Sequence, residues 1–99
     1  MIIEELRDAL SDVNGEMLLF DNPSFDGSII GTSTDGAAVY EYTKMVEEYI
    51  RDEYGTTEPT LEQEIDTVDF IGYNVIRSLP YMASVGTVPI IVYPLDGIM

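Results

Sequence analysis

The chain has 99 residues, with 19 acids against 4 bases, a formal net charge of −15, and neither cysteine nor histidine. That length allows one domain over residues 1–99, since a single core usually takes about 100–200 residues, and the 45% apolar fraction sets the chain apart from disordered polyanions. The charge argues against direct contact with nucleic acid or an anionic membrane, which need a basic footprint, and the missing residue types remove disulfides, zinc–thiolate sites and the usual activated nucleophiles.

The first element reads as a short amphipathic helix. Ile2, Ile3, Leu6, Ala9, Leu10 and Val13 recur at helical spacing between Glu4, Glu5, Arg7, Asp8 and Asp12, and Gly15 follows as a C-cap. Acids stand where a secretory leader would be basic, and no apolar run reaches the roughly 18 residues that span a bilayer. The expectation is a cytoplasmic protein.

The run MLLF (17–20) reads as a strand, followed by the turn-forming cluster DNPS and a loop to Gly27. Next, SIIGTS (28–33) and AAVYEY (37–42) flank Thr34, Asp35 and Gly36. An Asp-Gly pair is a hairpin signal because both turn positions tolerate positive φ. Three strands thus form a meander, in which Gly31 marks either a bulge or a weak spot.

From Thr43 the period becomes helical. Met45, Val46, Tyr49, Ile50 and Tyr54 share one face, while Lys44 with Glu48 and Glu47 with Arg51 are oppositely charged i,i+4 pairs on the other. Thr43 is the expected N-cap and Gly55 the expected end, with a linker over 56–59. Thr60 and Gln63 then have capping-box spacing, and a stripe of Leu61, Ile65, Val68, Ile71, Val75, Ile76 and Leu79 predicts a long helix stopped by Pro80. Gly72 costs this helix roughly 1 kcal/mol against alanine, so a break into two helices is the fallback. TVPIIVY (87–93) closes the chain as a strand, with Pro89 at its start or at a sheet edge. The resulting order, α-β-β-β-α-α-β, predicts an α+β fold. Its small antiparallel or mixed sheet, a three-strand meander plus the C-terminal strand, packs against two to three helices.

Catalytic signals are weak. With this many acids some carboxylate pair is always within reach. Residues 21–27 put Pro23 and Phe25 where a calcium loop needs ligands, and the glycines of GSIIG and STDG do not join a strand to a helix as a phosphate loop does. No metal, cofactor or enzymatic activity is expected.

The acids themselves are the stronger lead. Glu47, Glu48, Asp52, Glu53, Glu58, Glu62, Asp66 and Asp69 are spaced along two helices and their linker. An α-helix rises about 1.5 Å per residue and duplex DNA carries one charge per about 1.7 Å of axis, so such a row is a sparser copy of the nucleic-acid backbone. The expected partner is a basic nucleic-acid-binding protein, contacted through these acids. The alternative is a non-enzymatic structural or regulatory module. In that case the acids only keep it in solution, and it binds or forms a homodimer through an apolar or sheet-edge surface around Tyr81 to Tyr93.

The stretch YNVIRSLPYM (73–82) holds the one cation beyond Arg51. Tyr73, Asn74 and Arg77 fall near one helical face, and Arg77 just before Pro80 suits the negative end of a helix, with a local acid as its expected partner. This favours a structural motif over a recognition cluster. Together with AAVYEYTKMVEEYI (37–50) and VPIIVY (88–93), the stretch resembles a group of small, mostly uncharacterised proteins of Gram-positive bacteria and their mobile elements. There the motif reads close to YNTIRALPYM. Tyr73, Asn74, Ile76, Arg77, Leu79, Pro80, Tyr81 and Met82 match, whereas Val75 and Ser78 depart. The resemblance implies a shared fold and an origin in phage or other mobile DNA, and it transfers no catalytic residue. Joined by analogy to the acidic surface, it leads to the expectation of an anti-CRISPR protein that binds a CRISPR effector as a DNA mimic.

Overall fold

Tyr40 shows how the core is assembled. Its strand, β2 (Ala38–Glu41), turns Ala38 and Tyr40 into the interior and leaves Val39 and Glu41 half-buried, as the two-residue period of a strand requires. Around it the computed structural model describes residues 3–94. These form α1 (Ile3–Val13), β1 (Ile29–Thr32), β2, α2 (Tyr42–Tyr54), α3 (Leu61–Asn74), the four-residue α4 (Leu79–Met82) and β3 (Ile90–Val92). Short 3-10 turns at Pro23–Ser28 and Ile76–Ser78 connect them.

The sheet is mixed, in the order β1-β2-β3. β1 and β2 are antiparallel neighbours, and β3 lies parallel to β2 with Tyr40 opposite Ile91. This is the expected α+β class, with a shorter sheet than the expected meander. The stretch 17–20 forms no strand: Met17 makes a single parallel bridge to Thr87, where the Leu18 N–H donates to the Thr87 carbonyl at 3.0 Å and the Thr87 N–H to the Glu16 carbonyl at 2.8 Å. Residues 18 to 20 then leave that line so that Phe20 reaches the core. Pro89 is buried immediately before β3, an edge strand, where its missing donor breaks no ladder.

Three turns differ from expectation in an instructive way. The hairpin keeps the expected three-residue loop, but Gly36 alone takes positive φ (84°), its N–H donates to the Ser33 carbonyl at 3.0 Å, and Asp35 keeps negative φ. Gly15 does not cap α1 with positive φ; Asn14 does the local work, accepting from the Glu16 N–H and donating through Nδ2 to the Gly36 carbonyl and Thr87 Oγ1. The stripe from Thr60 to Leu79 takes the fallback form, dividing after Asn74 close to Gly72, and Pro80 lies at the start of α4 rather than at a helix end. A proline fits there because the first helical turn needs no N–H donor. The ladder between β1 and β2 slips between Ile29 and Gly31, as a bulge does, which selects the first of the two readings of Gly31.

The core joins Phe20, Phe25, Ala38, Tyr40, Met45, Ile71 and Val75. Its rings are close, with Phe20 and Tyr40 at 4.7 Å and Tyr49 stacked between Phe25 at 6.1 Å and Phe70 at 4.7 Å. The Phe20 N–H donates to the Tyr40 hydroxyl at 3.1 Å, and burial pushes that hydroxyl's pKa up to about 12. Arg7 holds Asp26 in a two-point pair, Nε to Oδ2 at 2.7 Å and Nη2 to Oδ1 at 2.8 Å, and also reaches the Phe20 carbonyl at 3.3 Å. Asp26 is fully buried, and its hydrogen bond raises the pKa of Arg7.

Candidate functional site

The α2 and α3 pair carries the acids singled out in the sequence. α2 starts without a side-chain cap at Glu41, in place of the expected Thr43, and ends at Gly55 with φ 66°, the left-handed conformation that closes a helix. α3 begins with a complete capping box, the Gln63 N–H donating to Thr60 Oγ1 at 3.2 Å and the Thr60 N–H donating to Gln63 Oε1 at 3.0 Å.

The second half of the expected stripe is buried, with Ile71 and Val75 enclosed and Ile76 and Leu79 packed against the core, whereas its first half is not. Thr67 and Ile71 are enclosed, and Phe70 stacks on Tyr49 of α2. Thr67 tolerates enclosure because its hydroxyl donates to the Gln63 carbonyl at 2.8 Å. With that face inward, Leu61, Ile65 and Val68 point to solvent, 71%, 51% and 44% exposed. Spaced four and three apart, they form one ridge on the first half of the helix. The ridge meets a groove of about 600 Å³ between the helices, where Val46, Ile50, Pro59 and Val68 supply apolar lining and Glu47 and Glu64 supply carboxylates.

Glu47, Asp52, Glu53, Glu58, Glu62, Asp66 and Asp69 are all exposed. Glu48 is half-buried and pairs with Arg51 at i,i+3 spacing, beside Gly27. This pair replaces the two expected i,i+4 pairs. Residues 41–69 hold ten acids and two bases, so one cation on Glu48 leaves a strongly negative surface.

The motif residues form a separate patch. Arg77 lies over the ring of Tyr73, 5.3 Å from its centroid, in place of the acid expected beside it. Tyr73 is 67% exposed, and Asn74 Nδ2 donates to the Phe70 carbonyl at 3.1 Å. Pro80 is exposed at the start of α4, so within the stretch the buried residue is Val75. A smaller cavity of about 290 Å³ opens beside it, lined in part by Leu19, Phe70, Asn74, Ser78 and Met82.

Sequence reasoning passed over Arg7 and Asp26 because their partnership spans 19 residues and joins a helix to a turn. The one available signal was an isolated arginine on a short amphipathic helix. Among the described residues no cluster of three potential metal ligands occurs, and no helix is long and apolar enough to cross a membrane. In comparisons with known proteins, no family model, no curated protein and no solved structure matches the chain.

Proposed function

We propose that the chain is a non-enzymatic inhibitor that binds a basic, nucleic-acid-binding protein through the acids of α2, the 56–59 linker and α3. The concrete form of this reading is a cytoplasmic anti-CRISPR protein of a mobile element, which occupies the nucleic-acid groove of a CRISPR effector. One observation carries it: seven of the eight carboxylates, at positions 47, 52, 53, 58, 62, 66 and 69, are exposed. Uncompensated charge of one sign raises the encounter rate with a basic groove and is screened by salt.

Affinity for such an effector is expected to fall steeply as salt rises, and reversing Glu47, Glu48, Asp52 and Glu53 to lysine is expected to abolish inhibition. A salt-independent affinity, or inhibition that survives the reversal, overturns the reading. Pull-down from cells expressing a CRISPR effector, with the reversed variant alongside, provides the direct comparison.

A second reading is favoured by a different observation. β3 is an edge strand with Ile90 exposed and Tyr93 exposed just after it, which leaves an edge open to a pairing strand. A dimeric mass in sedimentation that persists from low to high salt supports this reading, and a monomer under both conditions removes it.

A further inference from the structure

We infer that the outer ridge of α3 and the adjoining groove form a docking surface for a basic amphipathic helix of the partner protein. This inference rests on the reading of the partner as basic and adds the shape of what is bound. Leu61, Ile65 and Val68 lie on one face of a helix with a complete N-terminal capping box yet point away from the core. Val68 also lines the groove, so the apolar path continues onto Val46 and Ile50 of α2. A face with apolar residues at i, i+4 and i+7 accepts a second helix with the same spacing, which lays its own apolar side chains along the ridge.

The acids decide which helix. Helical geometry sets Glu62, Asp66 and Asp69 along one flank of the ridge, while Glu64 lies on the groove side with Glu47 and with the Glu48–Arg51 pair, whose charges offset each other. An occupant with Lys or Arg on both sides of its apolar stripe meets carboxylates on both flanks. A second copy of the chain brings another −15 charge against this face, and an anionic membrane is repelled in the same way. A basic amphipathic helix is the occupant that satisfies both the apolar ridge and its flanks.

The test uses synthetic peptides, since the partner itself is unidentified. One is a leucine–lysine peptide with leucines at helical spacing and a single tryptophan. The other has the same composition in an order that destroys the apolar face. The chain contains no tryptophan, so peptide fluorescence reports binding directly. The amphipathic peptide is expected to bind at least about tenfold more tightly than its scrambled isomer, and to keep measurable affinity near about 0.5 M salt. Replacing Leu61, Ile65 and Val68 together with serine is expected to remove that difference while the circular dichroism spectrum and melting curve stay as in the parent. Val46→Ala serves as a milder second variant at the groove, expected to lower the affinity by a smaller factor.

If both peptides bind equally and the triple-serine variant loses nothing, the docking surface is refuted while the acidic reading stands. Failure of both peptides to bind even at low salt refutes the basic partner itself. If the triple-serine variant unfolds, the Val46→Ala comparison decides: an unchanged preference for the amphipathic peptide overturns the inference.

Discussion

α2 and α3 are nearly equal in length, at 13 and 14 residues, and both are acidic, yet they use their apolar residues in opposite ways. α2 buries Met45 and Ile50 and packs Val46 and Tyr49 against the core, so its apolar stripe and its buried face coincide. α3 buries Thr67 and Ile71, leaving Leu61, Ile65 and Val68 outside. The difference shows that periodicity identifies an apolar stripe without identifying what covers it. In α3 the inward face is made by Thr67 and Ile71, with Phe70 beside them stacked on Tyr49.

The comparison breaks most visibly if α2 is not the better-anchored helix. Met45→Ala, which empties a fully enclosed site, is expected to lower stability by about 2–5 kcal/mol in urea unfolding. A loss under 1 kcal/mol would show that α2 is no more firmly packed than the outer turns of α3. Next in size is Arg7→Ala. It leaves the Asp26 carboxylate enclosed without its cation, and a broken buried pair costs about 3 kcal/mol when one partner, as Arg7 does here, keeps some access to water. The same measurement checks it, and the double variant Arg7→Met with Asp26→Leu is expected to recover much of the loss.

Much of the packed side was legible before the structure, and for local reasons. The α1 helix, the Ser33–Ala37 turn region, Gly55 at the end of α2 and the Thr60–Gln63 box all depend on residues within a few positions of one another, although Ile2 of the expected α1 stripe lies outside the described residues and Val13 is exposed. The features that escaped depend on distant partners: Arg7 with Asp26, Asn14 with Thr87 and Met17 with Thr87. The 3-10 turn at Pro23–Ser28 reads as plain loop because its value lies in presenting Phe25 and Asp26 to the interior. At the candidate site the acids were legible from charge alone. The ridge between them was not, since the same aliphatic spacing describes a buried stripe and an exposed one.

The pH dependence sharpens the contrast further, because the aromatic core titrates and the ridge does not. Tyr40 moves from an ordinary 10.0 to about 12, mainly through burial, and burial raises Tyr42 and Tyr49 as well. A pKa that is higher in the folded state means that the folded chain holds the proton longer than the unfolded one. The stabilisation is therefore complete below pH 10 and is lost as the pH rises toward about 12, an effect of roughly 2–3 kcal/mol for Tyr40. Urea midpoints measured from pH 8 to pH 12 are expected to fall only above pH 10. Tyr40→Phe is expected to flatten that fall, from a lower starting stability because the Phe20 N–H loses its acceptor.

The smallest expected effect bears most directly on α3. Leu61→Ala and Ile65→Ala remove side chains that already lie largely in water, so little apolar area returns to solvent on their loss. Alanine is also the best helix former, which offsets part of what little is lost. Each change is expected to lower the stability from urea unfolding by no more than about 0.5 kcal/mol, far below Met45→Ala. A loss several times larger for Ile65→Ala would mean that the outer face of α3 is held by the fold, and the contrast between the helices would disappear. A null effect on stability, coupled with weaker binding of the amphipathic peptide, identifies these side chains as retained for contact with another molecule.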